Sequence, residues 1–150
     1  MLNVFMSFAD EDAPIVGRLQ RAAVAKGNIS VYRYDRDKRP GTIIAAKVRT
    51  AIQKADVVVV LLTKHSARSS WIQHEIGAAH ALNKRLVPLL VPAARVPPLL
   101  EGVEALALDP EDPAGSIARA AHYLNDLGAE KERQELAALI GIALLVLVFE

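Results

Sequence analysis

The chain has 150 residues, which fits one domain and suffices to bury a hydrophobic core. Its formal net charge of +1, from 18 basic and 17 acidic residues, excludes the strong overall field that draws a protein onto nucleic acid. Without cysteine, the chain has no disulfide bond, no thiolate zinc site and no cysteine nucleophile. Its first residues lack the basic and apolar segments of a signal peptide, so we expect a cytoplasmic protein.

The first half of the chain contains two strand-helix units. Residues 2–7 are an apolar segment typical of a strand, and Asp10 or Asp12 can cap the helical pattern that follows. A second strand is predicted at 29–32. A polar loop comes next, with Pro40-Gly41 as its turn signal, and it leads into a second amphipathic helix.

The segment 57–62 is the centre of the predicted sheet. Its six consecutive β-branched or aliphatic residues lack polar alternation, as expected of a strand buried on both faces. Ser70 and Gln73 form a capping-box pattern that opens the next helix. A fourth strand is predicted at 86–91, and Pro88 within it removes a ladder donor, which favours a place towards an edge of the sheet.

The last strand-helix unit is a weak strand at 105–108 and a helix at 113–127, with Gly128 as its stop signal. The alternation predicts one α/β domain over residues 1–128. We expect a flavodoxin-like, doubly wound sheet of five parallel strands in the order 2-1-3-4-5, with helices on both faces. Ligands bind such sheets beyond the carboxyl ends of the strands, here between the first and third strands.

One helix beside this crevice carries the most informative residue. At about 100° per residue its apolar positions form one stripe, and Glu75 falls inside that stripe. A carboxylate among core positions must be paired, neutralised or facing a water-filled cleft. We interpret Glu75 as facing the cleft, with Trp71 directly beneath it. A structural ion pair with Arg68 or Arg33 is the alternative.

Several segments together resemble a TIR (Toll/interleukin-1 receptor) domain, and the resemblance covers about residues 2–127. They are Val4-Phe5-Met6-Ser7-Phe8 followed by an acidic turn, the loop Asp35 to Gly41, the strand Asp56-Val-Val-Val-Val-Leu-Leu, and Ser70-Trp71-Ile-Gln-His-Glu75. Within them, Trp71-x-x-x-Glu75 is similar to the signature of the bacterial TIR proteins that consume NAD, whose glutamate is catalytic.

The resemblance implies roles for particular residues. Glu75 is then the catalytic position, and residues 33–43 are the family's BB loop. NAD is a substrate, so no cofactor and no metal are expected, and TIR domains associate with one another. Phe8 can stack on a ring of the nucleotide or simply pack in the core. The residues expected to bind the substrate are Phe8, Ala9, Asp10, Arg33, Gly41, Ile43 and Trp71.

A single carboxylate suits cleavage of NAD. Glycosidases usually need two carboxyl groups, because a sugar oxygen must be protonated as it leaves. Nicotinamide on ribose is a cationic pyridinium and leaves as a neutral molecule, so the enzyme mainly stabilises charge on the ribose. We therefore predict a NAD glycohydrolase that makes nicotinamide and ADP-ribose, or a cyclic or conjugated derivative, in bacterial antiphage signalling. The alternative is a non-catalytic TIR adaptor that acts through TIR–TIR contacts.

A second segment is predicted at 129–150, a C-terminal helix that is first charged and then apolar. Residues 136–149 are apolar without a break. As a helix they span only about 21 Å, against about 30 Å for the hydrocarbon core of a membrane. Three interpretations are open: a shortened membrane segment, which would place the protein at a membrane, a helix that docks on a partner, and an additional helix of the domain.

Overall fold

A parallel sheet with helices on both faces forms the body of the protein. The structure is a computed structural model that describes residues 1–149; Glu150, the last residue of the predicted C-terminal segment, lies outside the described residues. The strands are β1 (Leu2–Ser7), β2 (Ile29–Tyr32), β3 (Val57–Leu62), β4 (Arg85–Leu90) and β5 (Leu106–Ala107), and the helices are α1 (Ala13–Val24), α2 (Ile44–Lys54), α3 (Ser70–Ala81) and α4 (Pro113–Phe149). The order is β2-β1-β3-β4-β5 with every pair parallel, which confirms the predicted fold class.

Two hydrophobic layers hold the helices against the sheet, one on each face. Side chains along a strand alternate between faces, so Val4 and Met6 of β1 join the layer under α1 and α4, whereas Phe5 joins the layer under α2 and α3. β3 supplies buried residues to both layers, as its unbroken apolar sequence predicts. The same alternation places Ser7, the last residue of β1, on the side of α3.

Two helix caps differ from the predicted ones. The N-cap of α3 is Ser69 rather than Ser70, and its hydroxyl accepts a hydrogen bond from the Ile72 N–H at 3.2 Å. Asp12 precedes α1 but does not cap it with its side chain; instead its carboxylate accepts a hydrogen bond from the Thr63 hydroxyl at 2.6 Å. This buried bond joins the start of α1 to the end of β3, which is a tertiary contact that the local sequence pattern does not indicate.

Gly128 does not end the closing helix, so that prediction is wrong: α4 continues without a break to Phe149. A Cβ atom at position 128 would lie 2.9 Å from the side chain of Asn28, closer than real Cβ contacts allow. Asn28 is held there because its side-chain amide donates to the Asn125 carbonyl at 3.0 Å. Glycine is therefore needed at position 128 for the close approach of α4 to the loop before β2.

The C-terminal part of α4 leaves the surface of the domain. Lys131 still contacts it, since the ammonium group lies 2.8 Å from both the Met1 carbonyl and the Asp56 carboxylate. Beyond residue 135 the large apolar side chains are 52% to 84% exposed. No helix within residues 1–149 is long and apolar enough to cross a membrane, so the predicted membrane association through residues 136–149 is wrong. Docking of this helix on a partner stays a prediction.

The turn after β4 contains backbone strain. Ala93 adopts the left-handed conformation, with φ at +64°. Pro92 stands before it, and the Ala94 N–H donates to the Val91 carbonyl at 3.1 Å, which is the pattern of a type II turn. Such a turn favours glycine at the position that Ala93 occupies, because a Cβ atom is crowded there.

We expect Ala93→Gly to raise the free energy of unfolding by about 1 kcal/mol, since glycine relieves this strain. Thermal unfolding should show a rise in Tm of roughly 2–4 °C. Asn83→Gly, at a φ of +54°, is the matched control and should gain less, because asparagine tolerates the left-handed conformation. A lower Tm for Ala93→Gly than for the unaltered chain would contradict the presence of strain at Ala93.

Candidate functional site

A cleft of about 260 Å³ opens at the carboxyl ends of β1 and β3, where the strand order reverses. Three loops surround it: the loop after β1, the start of the loop after β2, and the loop between β3 and α3. The lining residues are Phe8, Ala9, Asp10, Glu11, Tyr34, His65, Arg68, Ser69 and Trp71.

The residues predicted to bind substrate fall into two groups. One group lines the cleft and consists of Phe8, Ala9, Asp10 and Trp71. The second group lies outside its lining and consists of Arg33, Gly41 and Ile43. Sequence reasoning missed Tyr34, although this aromatic residue stands at the start of the predicted polar loop, which is a signal that could have identified it.

Glu75 lies beneath the cleft, in the interior between α3 and the sheet. It is only 2% exposed, and neither carboxyl oxygen has a hydrogen-bond partner. The alternative ion pair with Arg68 or Arg33 is not formed within residues 1–149. The carboxyl group does not line the cleft, although the sequence pattern predicts that it faces water there. Its place in the apolar stripe therefore leads to full burial, because the neighbouring positions of α3 pack directly on the sheet.

Two further buried polar atoms near Glu75 have no hydrogen-bond partner, the Oγ of Ser7 and the Nε1 of Trp71. Trp71 lies one helical turn before Glu75 on the same side of α3. The Ser7 hydroxyl is close enough to favour the ionised carboxylate, but it makes no hydrogen bond of normal geometry. Among the residues that the structure describes, all buried side-chain polar atoms without a partner belong to these three residues. The unsatisfied polar groups are thus concentrated at one place.

The carboxyl group of Glu75 favours its neutral form. Burial raises its pKa from the ordinary value of 4.5 to about 8, because a charged group is poorly solvated in the protein interior. The nearby Ser7 hydroxyl opposes this rise only in part. At neutral pH the carboxyl is therefore protonated in this arrangement, which makes its lack of a partner less costly than for a charged group.

Tyr34 closes one side of the cleft. Its hydroxyl donates a hydrogen bond to Asp10 at 2.5 Å, which joins the loop after β2 to the loop after β1. Burial and the negative charge of Asp10 raise the pKa of Tyr34 well above its usual range, so the phenol stays a neutral donor. The ring lies 6.3 Å from the ring of Phe8, measured between centroids. Tyr34 therefore contacts two residues of the loop after β1.

Arg33 does not line the cleft, and its side chain is held by contacts within the chain. Its guanidinium binds Asp35 through two hydrogen bonds, at 2.8 and 3.1 Å, and donates to Gln20 at 3.2 Å. It also lies over the ring of Phe8, 5.3 Å from the centroid, and is 4% exposed. Its donors are therefore largely occupied within the chain. The ring of Phe8 is covered and packs in the layer under α1 and α4, which agrees with the packing alternative for that residue.

The outer part of the loop 33–43, which includes Gly41 and Ile43, does not line the cleft. The Arg39 guanidinium donates two hydrogen bonds to the Asp37 carboxylate, at 2.8 and 2.9 Å. These bonds lower the pKa of the Asp37 carboxyl to about 2. Gly41 has a φ of +84°, which explains the glycine at this turn. Ile43 follows with 73% of its surface exposed. The tip of the loop is thus available for contact with another molecule.

Comparison with known proteins agrees with this fold. A family model described as TIR domain matches residues 4–121. The TIR domain of the Toll-related receptor TRR-2 from Hydra magnipapillata is 20% identical, with a TM-score of 0.65, over 77% of this chain and 91% of that one. The heterodimer of the RPS4 and RRS1 TIR domains is 17% identical, with a TM-score of 0.60, over 84% and 97%. The CMP N-glycosidase BcmB from Clostridium botulinum is 19% identical, with a TM-score of 0.52, over 83% and 97%.

Proposed function

The chain belongs to the TIR domain family, and we propose that it cleaves the nicotinamide–ribose bond of NAD, with Glu75 as the catalytic residue. The observation that carries this proposal is the unpartnered carboxyl of Glu75, buried beneath a cleft at the reversal of strand order. A buried polar group without a partner reduces stability. A glutamate kept only for structure is expected to have a partner, so this cost favours a functional role.

NAD offers the partners that the buried groups lack. Its nicotinamide ring is cationic, and the adjacent ribose carries two hydroxyl groups. A positive charge close to Glu75 favours the ionised carboxylate, and ribose hydroxyls can donate to its oxygens. The free Ser7 hydroxyl and the Trp71 N–H can bind the same substrate. Substrate binding would then convert a neutral, unsatisfied carboxyl into a charged and hydrogen-bonded one.

In the proposed reaction the bond between the ribose C1′ and the nicotinamide nitrogen breaks. Its electron pair goes to the ring nitrogen, so the cationic pyridinium leaves as neutral nicotinamide. Positive charge develops on the ribose, and the Glu75 carboxylate stabilises it in a site shielded from water. A water oxygen then bonds to C1′ and loses a proton, which gives ADP-ribose; attack by a group of the same nucleotide gives a cyclic product instead.

NAD can reach Glu75 only after the cleft opens, because the carboxyl is 2% exposed. The Tyr34–Asp10 hydrogen bond and the Trp71 side chain lie around the entrance. We infer that NAD opens the cleft as it binds and that association with a second chain completes the site. The exposed tip of the loop 33–43 supplies an apolar contact surface for this association, since Ile43 and the adjoining Ile44 are 73% and 53% exposed.

Ile43→Asp is expected to weaken self-association at least tenfold, because it buries a charge in an apolar contact. Sedimentation velocity over a concentration series measures the association, and NAD cleavage per chain should fall with it. Leu99→Asp is the matched control, since Leu99 is an exposed apolar residue, 45% accessible, at a distance from the loop in sequence. Association that is unchanged in Ile43→Asp, or equally reduced in the control, would contradict the role given to the loop.

A non-catalytic adaptor is the second candidate, and the closure of the interior around Glu75 favours it. In that case the loop tip alone would carry the function, through contacts with other TIR domains. The structural difference between the two candidates is whether the cleft opens.

Nicotinamide release separates the two functions. The full chain is incubated with NAD at a concentration at which it associates, the association is measured in the same sample, and the products are identified by mass spectrometry. Nicotinamide with ADP-ribose, or with a cyclic or conjugated form of it, supports the enzyme. The absence of nicotinamide from an associated sample supports the adaptor and removes the enzyme.

A further inference from the structure

A second cavity, of about 580 Å³, is separated from the cleft above Glu75 by the residues that follow β3. The carboxyl ends of β3, β4 and β5 form it together with the first turns of α1 and α4. It shares only His65 with the lining of the cleft above Glu75. The volume falls within the range of roughly 300–1,000 Å³ that is usual for small-molecule sites. The larger cavity of the two is therefore separate from the proposed catalytic site.

The lining of this cavity combines an apolar wall with charged groups of both signs, the cations Arg18 and Lys64 and the carboxylates of Asp12 and Asp109. Its wall includes Ile15, Val91, Leu108 and Ile117. Arg18 and Lys64 stand at the rim as exposed residues, and neither forms a salt bridge within residues 1–149. Two cations without an acidic partner attract an anion, and the apolar wall favours an organic body over an inorganic ion.

Asp12 adds a hydrogen-bond acceptor to the same cavity. It is 4% exposed, and the hydrogen bond from the Thr63 hydroxyl at 2.6 Å fixes its carboxylate. A carboxylate offers about four acceptor positions, and this bond uses one of them. A ligand that enters the cavity can therefore donate a hydroxyl to Asp12.

The strained turn after β4 also borders the cavity. Ala93 lines it while its φ is +64°. Strain of this kind persists only where the surrounding structure imposes it, and it is concentrated at ligand sites. The conformation of this turn helps to shape the entrance to the cavity.

We propose that this cavity binds a small hydroxylated organic anion with an apolar body. The anionic group lies between Arg18 and Lys64, a hydroxyl donates to Asp12, and the body packs on Ile15 and Ile117. A nucleoside monophosphate has all three features, and AMP is a suitable probe. This site is independent of NAD cleavage, so it can be tested whether or not the catalytic proposal holds.

Calorimetric titration of the full chain tests the site with AMP, adenosine and inorganic phosphate. AMP should bind at least tenfold more tightly than adenosine, which lacks the anion, or phosphate, which lacks the body. The double variant Arg18→Ala/Lys64→Ala should weaken AMP binding at least tenfold. The variant Arg49→Ala/Lys54→Ala is the matched control: it removes the same charge from exposed positions of α2, on the other face of the sheet, and should bind as the unaltered chain does.

Three results would overturn the proposal. The first is no binding of AMP at millimolar concentration. The second is an equal loss in both double variants, which would indicate attraction by overall charge. The third is binding that survives Arg18→Ala/Lys64→Ala but is lost in Trp71→Ala, which would place AMP in the cleft above Glu75. Thermal unfolding of each variant confirms that the protein is folded.

Discussion

Glu75→Gln is expected to abolish NAD cleavage and at the same time to make the protein more stable at alkaline pH. The amide has nearly the size of the carboxyl but cannot carry its charge, so turnover should fall by about a thousandfold, the scale of removing one group that stabilises a transition state. The same change removes the cost of ionising a buried group. The free energy of unfolding at pH 9 should therefore rise by up to about 5 kcal/mol.

The gain in stability follows from proton binding. Below pH 4.5 the carboxyl is protonated in the folded and the unfolded chain alike. Between 4.5 and its folded pKa of about 8, the folded chain keeps a proton that the unfolded chain has lost. Stability therefore decreases by about 1.4 kcal/mol per pH unit across this interval and levels off above it. The glutamine variant lacks this decrease, so the two proteins should differ little at pH 5 and most at pH 9.

Urea unfolding at pH 5, 7 and 9, with nicotinamide release measured on the same preparations, checks both parts. Glu101→Gln is the control, because Glu101 is an exposed residue in a turn and its replacement should change neither quantity. A glutamine variant that loses activity and stability together would show that Glu75 holds the fold. One that remains active would exclude Glu75 from catalysis.

The strands and helices could be predicted because their signals are local. The bounds of β1, β2 and β3 agree with the sequence, since an apolar run bounded by polar residues needs no distant partner to be recognised. The end of the closing helix could not be predicted in this way. Gly128 has the residue type of a stop signal, but its position is decided by Asn28, which lies far away in sequence and packs against the helix.

In the candidate site, too, the features that depend on local sequence could be predicted, and those that depend on contacts between distant segments could not. The burial of Glu75 follows from helical spacing, which placed it in an apolar stripe. Whether it is paired, neutral or exposed depends on where the arginines lie. Arg33 is bound to Asp35 and Gln20, and Tyr34 is bound to Asp10 at one side of the cleft. These contacts join different loops, so no pattern along one segment predicts them.

The unsatisfied cluster of Ser7, Trp71 and Glu75 is a property of the assembled fold as well. Strand alternation sends Ser7 to the face that α3 covers, and helical spacing brings Trp71 and Glu75 to the same side. Each rule is simple, but only the packing of α3 on β1 combines them. A site that is unsatisfied and closed without substrate would be selective, because only a cationic, hydroxylated ligand supplies what all three groups lack.

The kcat/KM of NAD cleavage should depend steeply on pH. Glu75 must lose its proton to stabilise positive charge, and its pKa in the free protein is about 8. The value of kcat/KM, which reports the free protein, should therefore fall by about tenfold per pH unit well below pH 8, and by roughly fiftyfold between pH 8 and pH 6. The profile of kcat should decline at a lower pH, because the cationic ring of bound NAD lowers the pKa of the carboxyl.

Initial rates of nicotinamide release between pH 5.5 and 9 measure both profiles, with Glu75→Gln at each pH to correct for cleavage of NAD in solution. The association of the chains is checked at every pH, so that a change in assembly is not taken for a titration. A profile of kcat/KM that stays flat from pH 6 to pH 8 would mean that Glu75 is ionised before NAD binds. The cleft would then already be open to water in the active assembly, and the closed, neutral carboxyl would belong to the inactive chain alone.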